Sequence, residues 1–184
     1  MRKQKQLFLS DEFEKEFKVE KEFGGAHLKK SHAKKARPIA VKKTMHITLK
    51  SSKAKGTQSL RSDKNRIQKI DKVVRAQAHN FGVEIYRFAN VGNHIHMLVK
   101  ANSRGEFISF LRAISGIIAR IALGAERGRA RFAKSRQSFW DQRPWTRVLF
   151  TWTEFKNVKK YVEQNFNEAM GFIAYKPRTY RSTA

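Results

Sequence analysis

Apolar and polar positions recur along most of the chain with periods that mark out its elements. From Pro38 onward, Ile39, Val41, Met45, Ile47 and Leu49 read as a strand ending at Ser51-Ser52. After a Lys/Ser/Gly loop the spacing turns helical from about Ser62 to Phe81, with Ile67, Ile70, Val73, Val74 and Ala78 on one stripe. Gly82 interrupts it, and Val83-Glu84-Ile85-Tyr86-Arg87-Phe88 alternates as a strand. Gly92-Asn93 is a turn signal, so this strand pairs as a hairpin with Val91-Gly92-Asn93-His94-Ile95-His96-Met97-Leu98-Val99. Asn102 to Glu106 breaks the pattern, and Phe107, Leu111, Ile114, Ile118 and Ile121 then follow at helical spacing. Residues 124–138 are rich in Gly and Arg and have no period. Trp145 to Trp152 has β-type composition, and Thr153 is placed to cap a last helix from Glu154 to about Met170. The apolar stripe of that helix is Phe155, Val158, Val162, Phe166 and Ala169.

The order is strand, helix, strand, strand, helix, strand, with one helix more. That predicts an α+β protein with the ferredoxin-like split βαβ arrangement, an antiparallel sheet carrying two helices on one face and an additional C-terminal helix. The first and third strands are the central pair of such a sheet. His94 and His96 therefore stand in mid-sheet on the face away from the two helices, while Ile95, Met97 and Val99 alternate with them less cleanly. The last helix is expected to cover part of that open face. No internal repeat is evident. The organisation expected is an N-terminal appendage over 1–36, a domain over 37–173 and a tail over 174–184. Within the appendage Ser10 starts a helix bearing Phe13 and Phe17, and a basic connector at Lys29-Lys30-Ser31-His32-Ala33-Lys34-Lys35 serves as linker or DNA-gripping arm.

Charge changes the picture next. Of 184 residues 40 are Lys or Arg against 15 Asp or Glu, a formal net charge of +25, and such a field selects polyanions, nucleic acid first. No apolar run reaches the length of a spanning helix, and Leu7-Phe8-Leu9 is too short for a signal-peptide core, so a cytoplasmic protein is expected. There are no cysteines, which excludes disulfides and thiolate metal sites.

The candidate chemistry lies in two places. Imidazoles at i and i+2 of a strand share a face and are common metal ligands. On the last helix Tyr161 and Asn165 are four apart and stack on one side, at the flank of the apolar stripe. Two imidazoles and an amide oxygen leave open positions on a divalent cation; Mg²⁺ keeps waters and binds phosphate oxygens, and Mn²⁺ suits imidazole somewhat better. A phenol keeps its proton at neutral pH and is a poor nucleophile until a metal or base withdraws it. A tyrosine beside a metal-bound phosphodiester points to transesterification, in which the phenol attacks phosphorus and one DNA strand breaks. Tyr86, Tyr175 and Tyr180 are weaker candidates because none has a ligand type one helical turn on. Arg127, Arg129, Arg131, Lys134 and Arg136 are placed to track a phosphate backbone, and Trp140, Trp145 and Phe139 to stack bases or to fill the core. His46 falls on the same sheet face as the histidine pair, in a site or a structural role.

These residues resemble the single-tyrosine HUH transposases, and among them the REP-associated tyrosine transposases. Met45-His46-Ile47-Thr48-Leu49 is similar to the family's first strand, and Gly92-Asn93-His94-Ile95-His96-Met97-Leu98 to its histidine–hydrophobic–histidine strand. Phe139-Trp140-Asp141-Gln142-Arg143 is similar to the segment ahead of the fourth strand, and Tyr161-Val162-Glu163-Gln164-Asn165 to the catalytic helix. The resemblance covers roughly residues 38 to 173. It implies Tyr161 as nucleophile, His94, His96 and Asn165 as ligands of Mg²⁺ or Mn²⁺, and a 5′-phosphotyrosine intermediate. The substrate implied is single-stranded DNA, often at the foot of an imperfect hairpin, and the enzyme a monomer or homodimer. The chain departs from relatives that carry Pro just after the Asn and a following Ala-Gly-Leu, having Phe166 and Ala169-Met170-Gly171-Phe172 instead, and Asn90-Val91-Gly92 stands where many have Met-Pro. In some members a Gln supplies the amide, which makes Gln164 an alternative ligand.

Three other readings compete. A basic, transposase-derived binding module that holds nucleic acid without cutting it accounts for charge and aromatics but has no use for a Tyr–Asn pair in register with two histidines. A replication-initiator or relaxase-type nickase uses the same ligands with different tyrosine surroundings and larger chains. A zinc hydrolase lacks a third His, Asp or Glu at ligand spacing.

Overall fold

The computed structural model describes residues 38–125 and 138–176. The N-terminal appendage, Arg127, Arg129, Arg131, Lys134, Arg136 and Tyr180 lie outside the described residues. The elements are β1 (Thr44–Lys50), α1 (Lys64–Asn80), β2 (Val83–Asn90), β3 (His94–Ala101), α2 (Arg104–Ala122), β4 (Trp145–Leu149) and α3 (Trp152–Met170), with a short 3₁₀ turn at Gly56–Gln58. They form a four-stranded sheet in the order β2-β3-β1-β4 with every neighbouring pair antiparallel, which is the expected ferredoxin-like arrangement with β1 and β3 in the centre.

Two boundaries differ from the sequence reading. β1 begins at Thr44 instead of near Pro38, and Lys42 just before it has a left-handed backbone (φ 66°) that an extended strand cannot continue through. The cap of α3 is Thr151 and not Thr153. The Thr151 Oγ1 accepts the Glu154 N–H at 3.1 Å, and the Glu154 carboxylate reaches back to the Thr151 N–H, a reciprocal capping box. Thr153 sits inside the first turn, where no such partner three residues on exists, because Lys156 occupies that place.

Alternation along the central strands divides the sheet into two faces. Met45, Ile47 and Leu49 of β1 and Ile95, Met97 and Val99 of β3 are all at most 2% exposed, packed with Ile70 and Val74 of α1 and Phe107, Phe110, Ile114 and Ile118 of α2. Each such fully buried side chain contributes about 1.5–3 kcal/mol. The alternation is cleaner than the sequence indicated. Leu98, which blurs it, is buried on the opposite face, where α3 packs on β2, β3 and β4.

α3 is docked mostly by polar and aromatic contacts. Its buried residues are Val162 and Asn165; Phe155 and Val158 are half-buried, and Phe166 is exposed, so the apolar stripe read from the sequence is only partly used. Arg87 of β2 pairs with Glu163, and the Tyr86 ring meets Phe155 edge-on at 5.4 Å. At the N-terminal end Arg147 Nη2 of β4 donates to Glu154 at 2.7 Å, while the Phe150 N–H donates to the same carboxylate at 2.9 Å. Burial pushes the Glu154 carboxyl up, but the Phe150 N–H and the Arg147 guanidinium outweigh it and hold the group below its ordinary value.

Because the folded-state value is depressed, the stabilisation from Glu154 is complete above the unfolded-chain value of about 4.3 and is lost as pH falls through the lower folded value. Glu154→Gln should therefore destabilise the protein at neutral pH by about 1 kcal/mol and flatten the loss of stability on acidification below about pH 4. Urea unfolding of both proteins at neutral and acid pH checks this; parallel stability–pH curves would contradict it.

Candidate active site on the open face of the sheet

The turn that presents the histidine strand is fastened before the strand begins. Asn90 is buried, its Nδ2 donating to the Leu60 carbonyl at 2.9 Å and its Oδ1 accepting the Gly92 N–H at 3.0 Å. Gly92 has φ 100° and would bring a Cβ to 3.3 Å from Ser59 Oγ, so both its backbone and its surroundings call for glycine. The Leu60 N–H donates to the Gly92 carbonyl at 2.8 Å and the Ser51 N–H to the Asn93 carbonyl at 2.9 Å. This ties the turn to the loop that follows β1, and His94 enters the sheet from a fixed point.

Register then sets who meets whom. In the β1–β3 ladder Thr48 stands opposite His96 and Lys50 opposite His94, while β4 brings Arg147 opposite His46 and Trp145 opposite Thr48. His94 and His96 lie edge to face with ring centroids 4.7 Å apart. His46, 6% exposed, lies on the same face, its Nε2 3.2 Å from His96 Nδ1 and its ring edge-on to Trp145 at 5.5 Å. Thr48 Oγ1 is 3.1 Å from the same His96 Nδ1, and His94 Nδ1 is 2.6 Å from Asn93 Oδ1. An amide oxygen only accepts, so His94 carries its proton on Nδ1. His96 likewise engages Nδ1 with the protein, through Thr48 and His46, so in both rings Nε2 is the nitrogen these contacts leave out.

α3 lays its tyrosine over this group. The Tyr161 ring meets His96 edge-on at 5.3 Å and His46 at 6.0 Å. One turn further, Asn165 is 2% exposed between helix and sheet, its Nδ2 donating to the Tyr161 carbonyl at 2.7 Å. The nitrogen end of the amide is thereby assigned to the helix backbone, and Oδ1 is the lone-pair end. Gln164 differs: its Nε2 donates to Glu168 at 2.8 Å along the half-buried side of the helix. Among the described residues no three His, Cys, Asp or Glu side chains are grouped to hold a metal ion.

The structure thus brings Tyr161, His94 and His96 together, with Asn165 one turn away on the buried side of α3. His46 and Thr48 join them. Their signal in the sequence was only the shared strand face; the contact itself needs the pairing register. Of the other tyrosines, Tyr86 is occupied elsewhere. Its hydroxyl donates to Glu84 at 3.0 Å, and burial, reinforced by that carboxylate, pushes its phenol above the ordinary value. Tyr175 is exposed beyond α3. Trp140 is half-buried against the core with its Nε1 donating to the Ser115 carbonyl at 2.9 Å, and Phe139 is buried at its side. Among the described residues no helix is long and apolar enough to cross a membrane.

No curated protein matches the sequence. Among solved structures, that of a REP-associated tyrosine transposase bound to a REP hairpin aligns with a TM-score of 0.54 and 12% identity, covering 77% of this chain and 76% of that one. A crystal structure named as a transposase of Deinococcus radiodurans R1 aligns with a TM-score of 0.40 and 20% identity, covering 72% of this chain and 97% of that one. The first of these shares the fold. Residues 42–165 match the model of the family described as "Transposase IS200 like". That segment runs from just ahead of β1 through the amide one turn past the tyrosine, well over half of the chain, and the chain belongs to the IS200-like transposases, enzymes of the tyrosine HUH endonuclease type.

Proposed function

We propose that this transposase is a metal-dependent single-strand DNA endonuclease and strand transferase that cuts through a 5′-phosphotyrosine link, with Tyr161 as nucleophile. The observation that carries the reading is the Tyr161 ring set edge-on over His96, with His94 beside it. His94, His96 and the amide oxygen of Asn165 would hold the ion, Mg²⁺ or Mn²⁺. When bound, such an ion polarises the scissile phosphodiester and absorbs charge on the leaving oxygen.

The chain's own residues do the rest. α3, capped at its N-terminal end by the Thr151–Glu154 box and tied there to Arg147, presents the phenol over the sheet. Tyr161 Oη forms a bond to phosphorus, the bond from phosphorus to O3′ breaks, and a proton passes in net from the phenol to the departing 3′-oxygen. The products are a DNA 5′-phosphate esterified to Tyr161 and a free 3′-hydroxyl. The link preserves the energy of one phosphodiester, so attack by another 3′-hydroxyl reverses the step and joins strands.

The substrate we assign is single-stranded DNA carrying a hairpin. The net charge of +25 suits a polyanion, and the structural neighbour was solved with a REP hairpin bound. The basic run of Arg127, Arg129, Arg131, Lys134 and Arg136 joins α2 to β4 and supplies charge for the backbone. A cytoplasmic location, where the enzyme would meet such DNA, goes with this reading.

Incubation with labelled hairpin oligonucleotides and Mg²⁺ or Mn²⁺, resolved on a denaturing gel, tests the proposal. A covalent protein–DNA band is expected, and Tyr161→Phe should abolish it while leaving hairpin affinity within about twofold, since only the nucleophilic oxygen is lost. An adduct of undiminished yield in Tyr161→Phe sinks the assignment. His96→Ala should lower cleavage by about a hundredfold or more at any metal concentration, whereas His94→Ala, further toward the solvent, should shift the metal dependence to higher concentration. Full metal-dependent activity of either variant, at an unchanged metal requirement, would count against the two histidines as ligands.

A further inference from the structure

One aromatic side chain that the catalytic geometry leaves unused is Trp152, the first residue of α3, which is 68% exposed. An indole this exposed commonly turns one face to a neighbour and leaves the other in water. Here the buried face is held: Trp152 stacks on Phe155 with centroids 5.0 Å apart and planes 11° from parallel. Phe155 in turn meets Tyr86 of β2 edge-on at 5.4 Å. The three rings form a ladder anchored on the sheet, so the outer face of Trp152 is a flat, pre-oriented surface.

Cations border that surface. Lys156 Nζ lies over the Trp152 ring, 6.0 Å from its centre, a distance that leaves the indole 68% exposed. On the other side of the helix start, Lys43 Nζ sits 4.6 Å over the Phe150 ring. Lys43, Phe150, Trp152, Phe155 and Tyr86 line one open groove of about 340 Å³ at the N-terminal end of α3. A purely apolar partner would gain nothing from the ammonium groups, and a duplex keeps its base faces stacked away from a protein ring. The ligand that presents flat apolar faces and regularly spaced anionic charge together is an unpaired nucleotide strand.

We infer that Trp152, backed by Phe155 and flanked by Lys43 and Lys156, is a stacking platform for an unpaired DNA base. Trp152 and Tyr161 are nine residues apart on one helix, about 13.5 Å along its axis and half a turn around it. The base held there is therefore not part of the scissile linkage. It belongs to a nucleotide a few positions away, on a strand that passes around the start of α3. The platform anchors the unpaired flank of the substrate while the phosphodiester sits over the histidines. This rests on the single-strand reading above only for the identity of the strand's reaction, since stacking needs no cleavage.

The test is equilibrium binding of a short oligodeoxythymidylate, followed by tryptophan fluorescence and anisotropy with chelator present so that nothing is cut. Wild type should show quenching on binding. Trp152→Ala should lose most of that quenching and bind about tenfold or more weakly, with thermal stability unchanged because the side chain is exposed. Trp152→Phe should restore affinity to within about threefold, since a smaller ring still stacks. A duplex of the same length should give little quenching. Equal affinity and equal quenching in wild type and Trp152→Ala, or duplex quenching as strong as that of the single strand, would overturn the platform. The two proposals fail separately: stacking through Trp152 in a chain that forms no covalent adduct overturns the Tyr161 mechanism alone, and adduct formation by a Trp152→Ala protein with unaltered binding overturns the platform alone.

Discussion

A slip of β3 by one residue against β1 would turn His94 and His96 into the packed interior and throw Ile95, Met97 and Val99 out toward α3. That constraint underlies everything else. Ten or so apolar side chains on one face fix the register, and the imidazoles on the other face inherit their positions without needing any attraction among themselves. The histidine group is thus positioned by the hydrophobic core behind it. The Asn90–Gly92 turn reinforces the arrangement at one end of β3, where a shift in pairing would start.

How far the sequence could be read follows from how local each determinant is. β3, α1 and α2 were legible because their periods are carried by consecutive residues, and the strand order followed from the split βαβ succession. The start of α3 was misplaced although its signal was present: Thr151 has Glu154 three residues on, whereas Thr153 has Lys156, and only the former closes a capping box. The His46–His96 contact joins residues 50 apart and depends on a pairing register that no window of sequence contains. The tryptophans show the same limit. Trp140 and Trp152 are alike in composition, but Trp140 is held by the Ser115 carbonyl of α2 and Trp152 faces water, a difference made by which segment packs on which helix.

The buried face of α3 departs furthest from a simple amphipathic reading. A stripe from Phe155 to Ala169 predicts an oily seat, yet the surface beneath carries imidazoles, a threonine and a guanidinium alongside Leu98. Against such a surface an asparagine can be buried with its nitrogen bonded to its own helix, and a phenylalanine in the next position can be left outside. Polarity on the sheet therefore decided which side of the helix turned inward. The same choice brings Tyr161 to the rings of His46 and His96.

The two halves of the site consequently rest on supports of unequal strength. The histidines stand on the two innermost strands, each hydrogen-bonded to a neighbour on both sides. Tyr161 and Asn165 ride on a terminal helix that buries one aliphatic side chain fully, Val162, and is otherwise held by a cap, exposed or half-exposed ion pairs and ring edges. Such an element belongs to the low end of the local-unfolding spectrum. Because both side chains stand on it, any opening of α3 by itself would carry the phenol and the amide away from the imidazoles together. In the proposed reaction, where a strand end held on Tyr161 meets a second one, the bond and its carrier would then travel together, away from the imidazoles that stay on the sheet.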